Sequence, residues 1–146
     1  MRKKLSVKYS SWARLQLGMG LVLLILLVAD RVLKNYFYTC GRFAANRGLA
    51  FGLALNQIVL WVIVLLVLGG VIYLLARAYQ SRQATVFFAF CLITVGAVSN
   101  LWDRWQWGFV VDYLNWPPRN IFNLADVMIL AGVGILVWQI FRKHKK

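Results

Sequence analysis

Four apolar stretches organise the chain, at residues 15–33, 57–76, 86–102 and 122–141. Each is long enough, or nearly so, to cross ~30 Å of hydrocarbon at ~1.5 Å of helix rise per residue. In lipid a spanning segment has to satisfy its backbone polar groups internally, so the pattern predicts four transmembrane α-helices. Gly18 and Gly20 in the first, Gly69 and Gly70 in the second, and Ala131, Gly132 and Gly134 in the fourth offer thin surfaces for close helix approach. Residues 35–45 are mixed and read as a loop. The segment NRGLAFG at 46–52 reads as a tight turn, with Asn46 bonding to its own backbone. Asn56 is placed to cap the second span. At 108–114, GFVVDYL wraps apolar residues around one acid, predicting a short strand or a loop on the mouth of the bundle. Pro117 and Pro118 stop any helix there, and Asn120 is placed to cap the fourth span. The predicted fold class is an all-α membrane protein, a single four-helix domain over 1–146 with a short non-helical region that has room for small β segments.

Composition narrows this further. With 62% hydrophobic residues and 14% charged, the chain is too apolar for an ordinary soluble domain. A net charge of +13 raises nucleic acid as a partner. The distribution speaks against it, since Arg and Lys sit in short blocks between apolar runs. Arg2, Lys3, Lys4, Lys8, Arg14, Arg77, Arg82, Arg142, Lys143, Lys145 and Lys146 fall on one side of the predicted bundle with no acid among them. Arg31, Lys34, Arg42, Arg47, Arg104 and Arg119 fall on the other side with all four Asp. The excess predicts cytoplasmic termini and carboxylates at the outer face. The first apolar run follows a basic segment but lacks a small-residue cleavage signal, so it reads as a retained anchor. Cys40 and Cys91 lie far apart in this topology and form no disulfide framework; Cys91 reads as an apolar filler. Trp102, Trp105, Trp107 and Trp116 read as an interfacial aromatic belt.

The candidate chemistry follows from scarcity. There is no Glu, and the four acids are Asp30, Asp103, Asp112 and Asp126. The only His, His144, stands in the basic C-terminal segment, which removes Ser/His and Cys/His nucleophile arrangements. Oxygen-only metal coordination is thin with so few acids, so no metal site is predicted. Asp30 and Lys34 stand at i and i+4, either as a helix-end ion pair that sets depth in the membrane or as a brace for an outer site. Asn100, Asp103 and Arg104 share a helix face, as do Asn123 and Asp126. Asp126, the fifth residue of its stretch, is expected roughly 6 Å below the start of the helix, facing the interior because lipid exposure costs ~2.5–3.5 kcal/mol. If Asp112 folds back over that helix, the two carboxylates share a proton, one as base on a water and one as acid, with neither role assigned to a residue. Two other readings stay open on the residues: a non-enzymatic membrane subunit using its Asp and Asn groups for packing or partner binding, and a proton-coupled transporter, which four spans without midplane charge serve poorly.

The blocks Asp30-x-x-x-Lys34, NRGLAFG at 46–52, GAVSNLWDRWQWGFVVDYL at 96–114 and FNLAD at 122–126 occur in this order between four spans. In them the chain resembles the signal peptidase II family, the membrane aspartyl proteases that trim bacterial prolipoproteins. The resemblance implies that Asp112 and Asp126 are catalytic. It implies that Asn100, Asp103, Arg104, Asn123 and Ala125 shape and support the site, that Asn46 and Gly48 lie beside the substrate, and that Asp30 and Lys34 are structural. The implied substrate is a signal peptide whose Cys already carries diacylglycerol, cut just before that Cys. No cofactor or metal and no nucleic acid are implied. The implied setting is the bacterial cytoplasmic (inner) membrane among its phospholipids, as a multi-pass monomer with the site near the outer face. Three features depart from the family pattern: a shorter stretch between Lys34 and Asn46, a shorter connection from Asp112 to Asp126, and Val95 and Ser99 where Gly is usual.

Overall fold

The computed structural model describes residues 2–48, 57–116 and 120–144. The expected cap at Asn56, the stop at Pro117 and Pro118, and residues 49–52 of the turn lie outside the described residues. Among the described residues four helices carry the fold: α1 (Arg2–Thr39), α2 (Gln57–Gln80), α3 (Ala84–Trp107) and α4 (Leu124–His144). Each contains a stretch long and apolar enough to cross a membrane. Their flanks expose Leu17, Leu66 and Leu130, as expected of surfaces that face lipid rather than water. The chain is thus a four-span all-α membrane protein with small strands added at one end.

Four three-residue strands make up that end: β1 (Ala44–Asn46), β2 (Val110–Asp112), β3 (Leu114–Trp116) and β4 (Asn120–Phe122). β1 pairs antiparallel with β2, setting Ala44 opposite Asp112 and Asn46 opposite Val110. β3 pairs antiparallel with β4, setting Leu114 opposite Phe122. The first pair ties the exit of α1 to the exit of α3, and the second leads into α4. Gly108, at φ 76°, donates its N–H to the Arg104 carbonyl and ends α3 in a left-handed cap. That conformation suits a residue without Cβ, and it turns the chain straight into β2.

Two expectations about local structure change. Residues 35–39 are not loop: α1 runs on to Thr39. Asn120 does not cap α4, because it sits in β4; the helix starts at Leu124 and its cap is Asn123. Asn123 Oδ1 accepts the Asp126 N–H at 3.0 Å, and Asp126 Oδ2 accepts the Asn123 N–H at 3.2 Å. This reciprocal capping box makes Asp126 the third residue of the helix, shallower than expected.

α3 is the central helix, with α4 packed most extensively against it, α2 beside it, and α1 meeting α3 and α4. The α3–α4 seam is closed at Gly96, where a Cβ would lie 2.5 Å from the Ala125 carbonyl oxygen and 2.9 Å from Ile129 Cγ1. Gly132 makes a similar approach to Ala89 deeper down, whereas among the described residues nothing stands within 4 Å of a Cβ built at Gly18, Gly20, Gly69, Gly70 or Gly134. The backbone oxygen at Gly96 cannot move aside without moving α4. Gly96→Ala is therefore expected to destabilise the protein by ~1–3 kcal/mol, read as a lowered unfolding midpoint in detergent. An unchanged midpoint would show that the seam yields.

Candidate active site

The first turn of α4 gathers three elements around Asp126. A helix start leaves backbone N–H groups without intrahelical partners, and here each of the first four has one. The Leu124 N–H donates to the Tyr113 hydroxyl at 3.2 Å and the Ala125 N–H to Asp30 Oδ1 at 3.0 Å. Asp126 is served by the Asn123 side chain, and the Val127 N–H reaches the Asn123 carbonyl at 3.3 Å. α1 and the segment after β2 therefore fix where α4 begins.

Beneath this turn lies a buried ionic cluster. Asp30, Lys34 and Asp103 are each 0% exposed. Lys34 Nζ stands 3.3 Å from Asp30 Oδ2 and 2.8 Å from Asp103 Oδ2, and it donates to Asn100 Oδ1 at 2.8 Å. Arg31 completes the charge balance by pairing with Asp103 Oδ1. The Ser99 hydroxyl donates to Asp30 Oδ2, and Asp103 Oδ2 also accepts the Val111 N–H at 3.3 Å, which seats β2. Asp30 and Lys34 are thus an interior brace between α1, α3 and α4, not a helix-end pair at the membrane surface. Burying charge is tolerable here because every member is paired and hydrogen-bonded.

Asn100 passes this organisation to Asp126. Its Oδ1 is taken by Lys34, so its Nδ2 faces outward and donates to Asp126 Oδ1 at 2.8 Å. Asp112, buried at the end of β2, accepts from Asn46 Nδ2 at 3.0 Å and from Asn123 Nδ2 at 2.6 Å. Asn123 therefore binds both aspartates, Asp112 through its side-chain amide and Asp126 through its capping box. Asn46 Oδ1 accepts the Gly48 N–H at 3.0 Å, ordering the turn after β1. Arg104 donates from Nη2 to the Gly48 carbonyl at 2.9 Å and holds that turn over the site. Among the described residues, the Nε–H of Arg104 is the buried side-chain polar atom left without a partner.

Burial, with the charge of Asp126 adding to it, pushes the Asp112 carboxyl up to about 6 from its ordinary 3.8, against the lowering effect of the Asn46 and Asn123 amides. An acid that keeps its proton into this range beside a second carboxylate suits acid–base exchange on a water. Among the described residues, no group of three or more His, Cys, Asp or Glu is gathered to hold a metal ion.

All of the residues singled out from the sequence meet at this end of the bundle: Asp112, Asp126, Asn46, Gly48, Asn100, Asp103, Arg104, Asn123, Ala125, Asp30 and Lys34. Tyr113, Arg31 and the bonding of Ser99 were not foreseen. Ser99 offered a signal, being a hydroxyl one turn before Asp103 on the buried face of α3. Trp107 departs from the belt reading: it stacks on Tyr38 at 4.7 Å, and the Arg31 guanidinium lies 5.6 Å from its ring centre. Trp102 and Trp105 are exposed, as a belt requires.

The signal peptidase (SPase) II profile matches residues 21–142. The lipoprotein signal peptidase of Halothermothrix orenii is 32% identical over 115 residues, covering 78% of this chain and 77% of that protein. That of Moorella thermoacetica is 35% identical over 109 residues, covering 75% and 71%. Two solved bacterial membrane enzymes, obtained by the in meso method, share the fold. One, at 2.3 Å resolution, superposes with a TM-score of 0.72 at 21% identity, covering 87% of this chain and 89% of its own. The other, at 1.9 Å, gives 0.69 at 23% identity, covering 84% and 92%. With the profile spanning most of the chain and relatives about a third identical across both partners, the chain belongs to the signal peptidase II family of peptidases.

Proposed function

We propose that this protein removes signal peptides from lipoprotein precursors by a two-aspartate mechanism, cutting before a diacylglyceryl-modified Cys. The observation that carries the reading is that one residue, Asn123, holds both Asp112 and Asp126, at the mouth of a membrane bundle where the rest of the acids are committed to ion pairs. The pair carries one proton at rest. The ionised member takes a proton from water as the water oxygen attacks the scissile carbonyl carbon, while the protonated member hydrogen-bonds the carbonyl oxygen. The protonated member then gives its proton to the leaving nitrogen as the C–N bond breaks. The proton taken from water stays on the pair, which returns to its resting state. The coupled carboxylates titrate as a unit, so both share the acid and base roles.

Membership of the family and the names of the relatives, lipoprotein signal peptidases, support the substrate class. The excess of Arg and Lys at the opposite end supports cytoplasmic termini, with the site near the outer face of the bacterial cytoplasmic membrane. The enzyme acts as a monomer among membrane phospholipids.

The test is processing of a prolipoprotein, with and without diacylglycerol on its Cys, by the purified full chain across pH. Cleavage of the lipidated precursor alone is expected, with a bell-shaped kcat/KM. Acid adds a second proton and removes the base; alkali removes the shared proton and with it the acid. Because burial lifts Asp112, the alkaline limb should lie at or above about pH 6. A limb near the ordinary Asp value of 3.8 would overturn the shared-proton mechanism, and equal cutting of the unlipidated precursor would overturn the substrate assignment.

A further inference from the structure

We infer that Tyr113 is a positioning residue for the reaction: its hydroxyl and main chain set the separation of the two aspartates across the short connection between them. The inference rests on the two-aspartate reading above. Tyr113 is the single residue between β2, which ends at Asp112, and β3, which begins at Leu114. Its main-chain N–H donates to the Phe122 carbonyl at 3.1 Å, and its hydroxyl accepts the Leu124 N–H at 3.2 Å. It therefore grips the residues on either side of Asn123, the residue that binds both aspartates. The strand end bearing Asp112 and the helix start bearing Asp126 become one closed ring of hydrogen bonds.

The ring of Tyr113 is fixed in turn. It lies stacked on Phe37 of α1, with centroids 4.7 Å apart and planes tilted by 6°. A Phe at this position would stack equally well. The hydroxyl is what reaches the backbone of α4, and it serves the one N–H of the first turn that neither Asp30 nor Asn123 satisfies. Burial foremost, with Asp30, Asp103 and Asp126 adding to it, pushes the phenol up to about 12, so the group stays a neutral hydroxyl wherever the aspartates titrate. It holds geometry and does not exchange protons with the pair.

The consequence is a coupling effect. Two carboxylates held close ionise far apart in pH, because the first charge opposes the second. If the ring of hydrogen bonds loosens, the coupling weakens. The lower ionisation then moves up and the upper one moves down, narrowing the pH range in which the pair holds one proton. Among the described residues, the charged groups around the pair are Asp30, Arg31 and Lys34 from α1 and Asp103 and Arg104 from α3, and the ion pairs and hydrogen bonds that hold them do not involve the Tyr113 hydroxyl.

The experiment is Tyr113→Phe in the purified full chain, assayed on a lipidated prolipoprotein across pH, with Phe37→Leu as a second variant and Asp126→Asn in parallel. Tyr113→Phe should lower kcat by roughly five- to tenfold, the scale of one lost hydrogen bond. KM should stay within about twofold, since the hydroxyl binds α4 and not substrate. The alkaline limb should move to lower pH and the bell should narrow. Phe37→Leu, which frees the ring but keeps the hydroxyl, should shift the profile the same way by less. Wild-type kcat and pH profile in Tyr113→Phe overturn the inference. So does a fall in kcat with a lower melting temperature and an unshifted profile, which marks a merely structural role. A raised KM alone overturns it too, by making Tyr113 a substrate contact. Cleavage by Asp126→Asn instead overturns the two-aspartate reading, whereas an inactive Asp126→Asn beside a wild-type-like Tyr113→Phe removes only the positioning role.

Discussion

Asp126→Asn and Asp112→Asn are each expected to abolish precursor processing, by ~10²–10⁴-fold or more, in a protein that still folds. On the proposed two-aspartate mechanism, an amide cannot take a proton from water or carry the shared proton to the leaving nitrogen, so each substitution removes half of the exchange. The fold should survive for a balanced reason. Each carboxylate accepts two hydrogen bonds, Asp112 from Asn46 and Asn123, Asp126 from Asn100 and the Asn123 N–H. An Asn keeps one acceptor oxygen and turns its amide toward the other donor, losing one hydrogen bond at a cost of about 1–3 kcal/mol. Asn100 cannot flip to compensate, because Lys34 holds its Oδ1. Against that cost, neutralising one of two neighbouring carboxylates, Asp112 buried and Asp126 half-buried, removes repulsion and desolvation of similar size. Melting temperatures in detergent close to wild type, with uncut precursor, are the expected pair of results. Retained cleavage by either variant would refute the two-aspartate mechanism.

Lys34→Met should have the largest effect on stability. The ammonium is wholly buried, touches Asp30 and Asp103, and fixes the Asn100 amide that serves Asp126. Removing it leaves two buried carboxylates with only Arg31 as counter-charge, and breaking a buried pair by deleting one partner costs ~3–5 kcal/mol. Met fills much of the same space, so the loss comes from charge and not from a cavity. The companion double variant Lys34→Met with Asp30→Asn should recover part of that loss, since it removes one of the orphaned charges. A double-mutant cycle of unfolding free energies reads the coupling directly. Additive effects of the two substitutions would show that the pair does not interact as described. Activity should stay low even in the rescued double variant, because Asn100 is then free to turn its oxygen toward Asp126.

The four helices were legible in the sequence because lipid imposes a simple rule: long apolar runs must satisfy their backbone internally, so run length and placement dictate helices. The scarcity of acids pointed to the end of the bundle where the candidate site lies. Local chemistry also marked Asn46 as the orderer of its own turn, since an Asx bond reaches only two residues along the chain. Where helices ended was less legible. Residues 35–39 look mixed, yet they continue α1 because their aromatic side chains stack on residues distant in sequence, Phe37 on Tyr113 and Tyr38 on Trp107. Asn120 and Asn123 are equally plausible caps by residue type; pairing of β4 with β3 takes Asn120 into a strand and leaves Asn123 the role.

What the sequence by itself determined is the set of groups and the class of architecture: four spans, four Asp, no Glu, and a single His in the basic C-terminal segment. What only the tertiary structure decided is which groups face one another. Asp30 and Asp103 are consumed by Lys34 and Arg31, Ser99 joins that cluster, and Asn123 and Tyr113 draw the remaining two aspartates together. The physical reason is range. Hydropathy and helix phase act within a few turns, but pairing a buried charge depends on side chains brought from α1, α3 and α4 by packing at Gly96, and no periodicity in one segment encodes its partner in another.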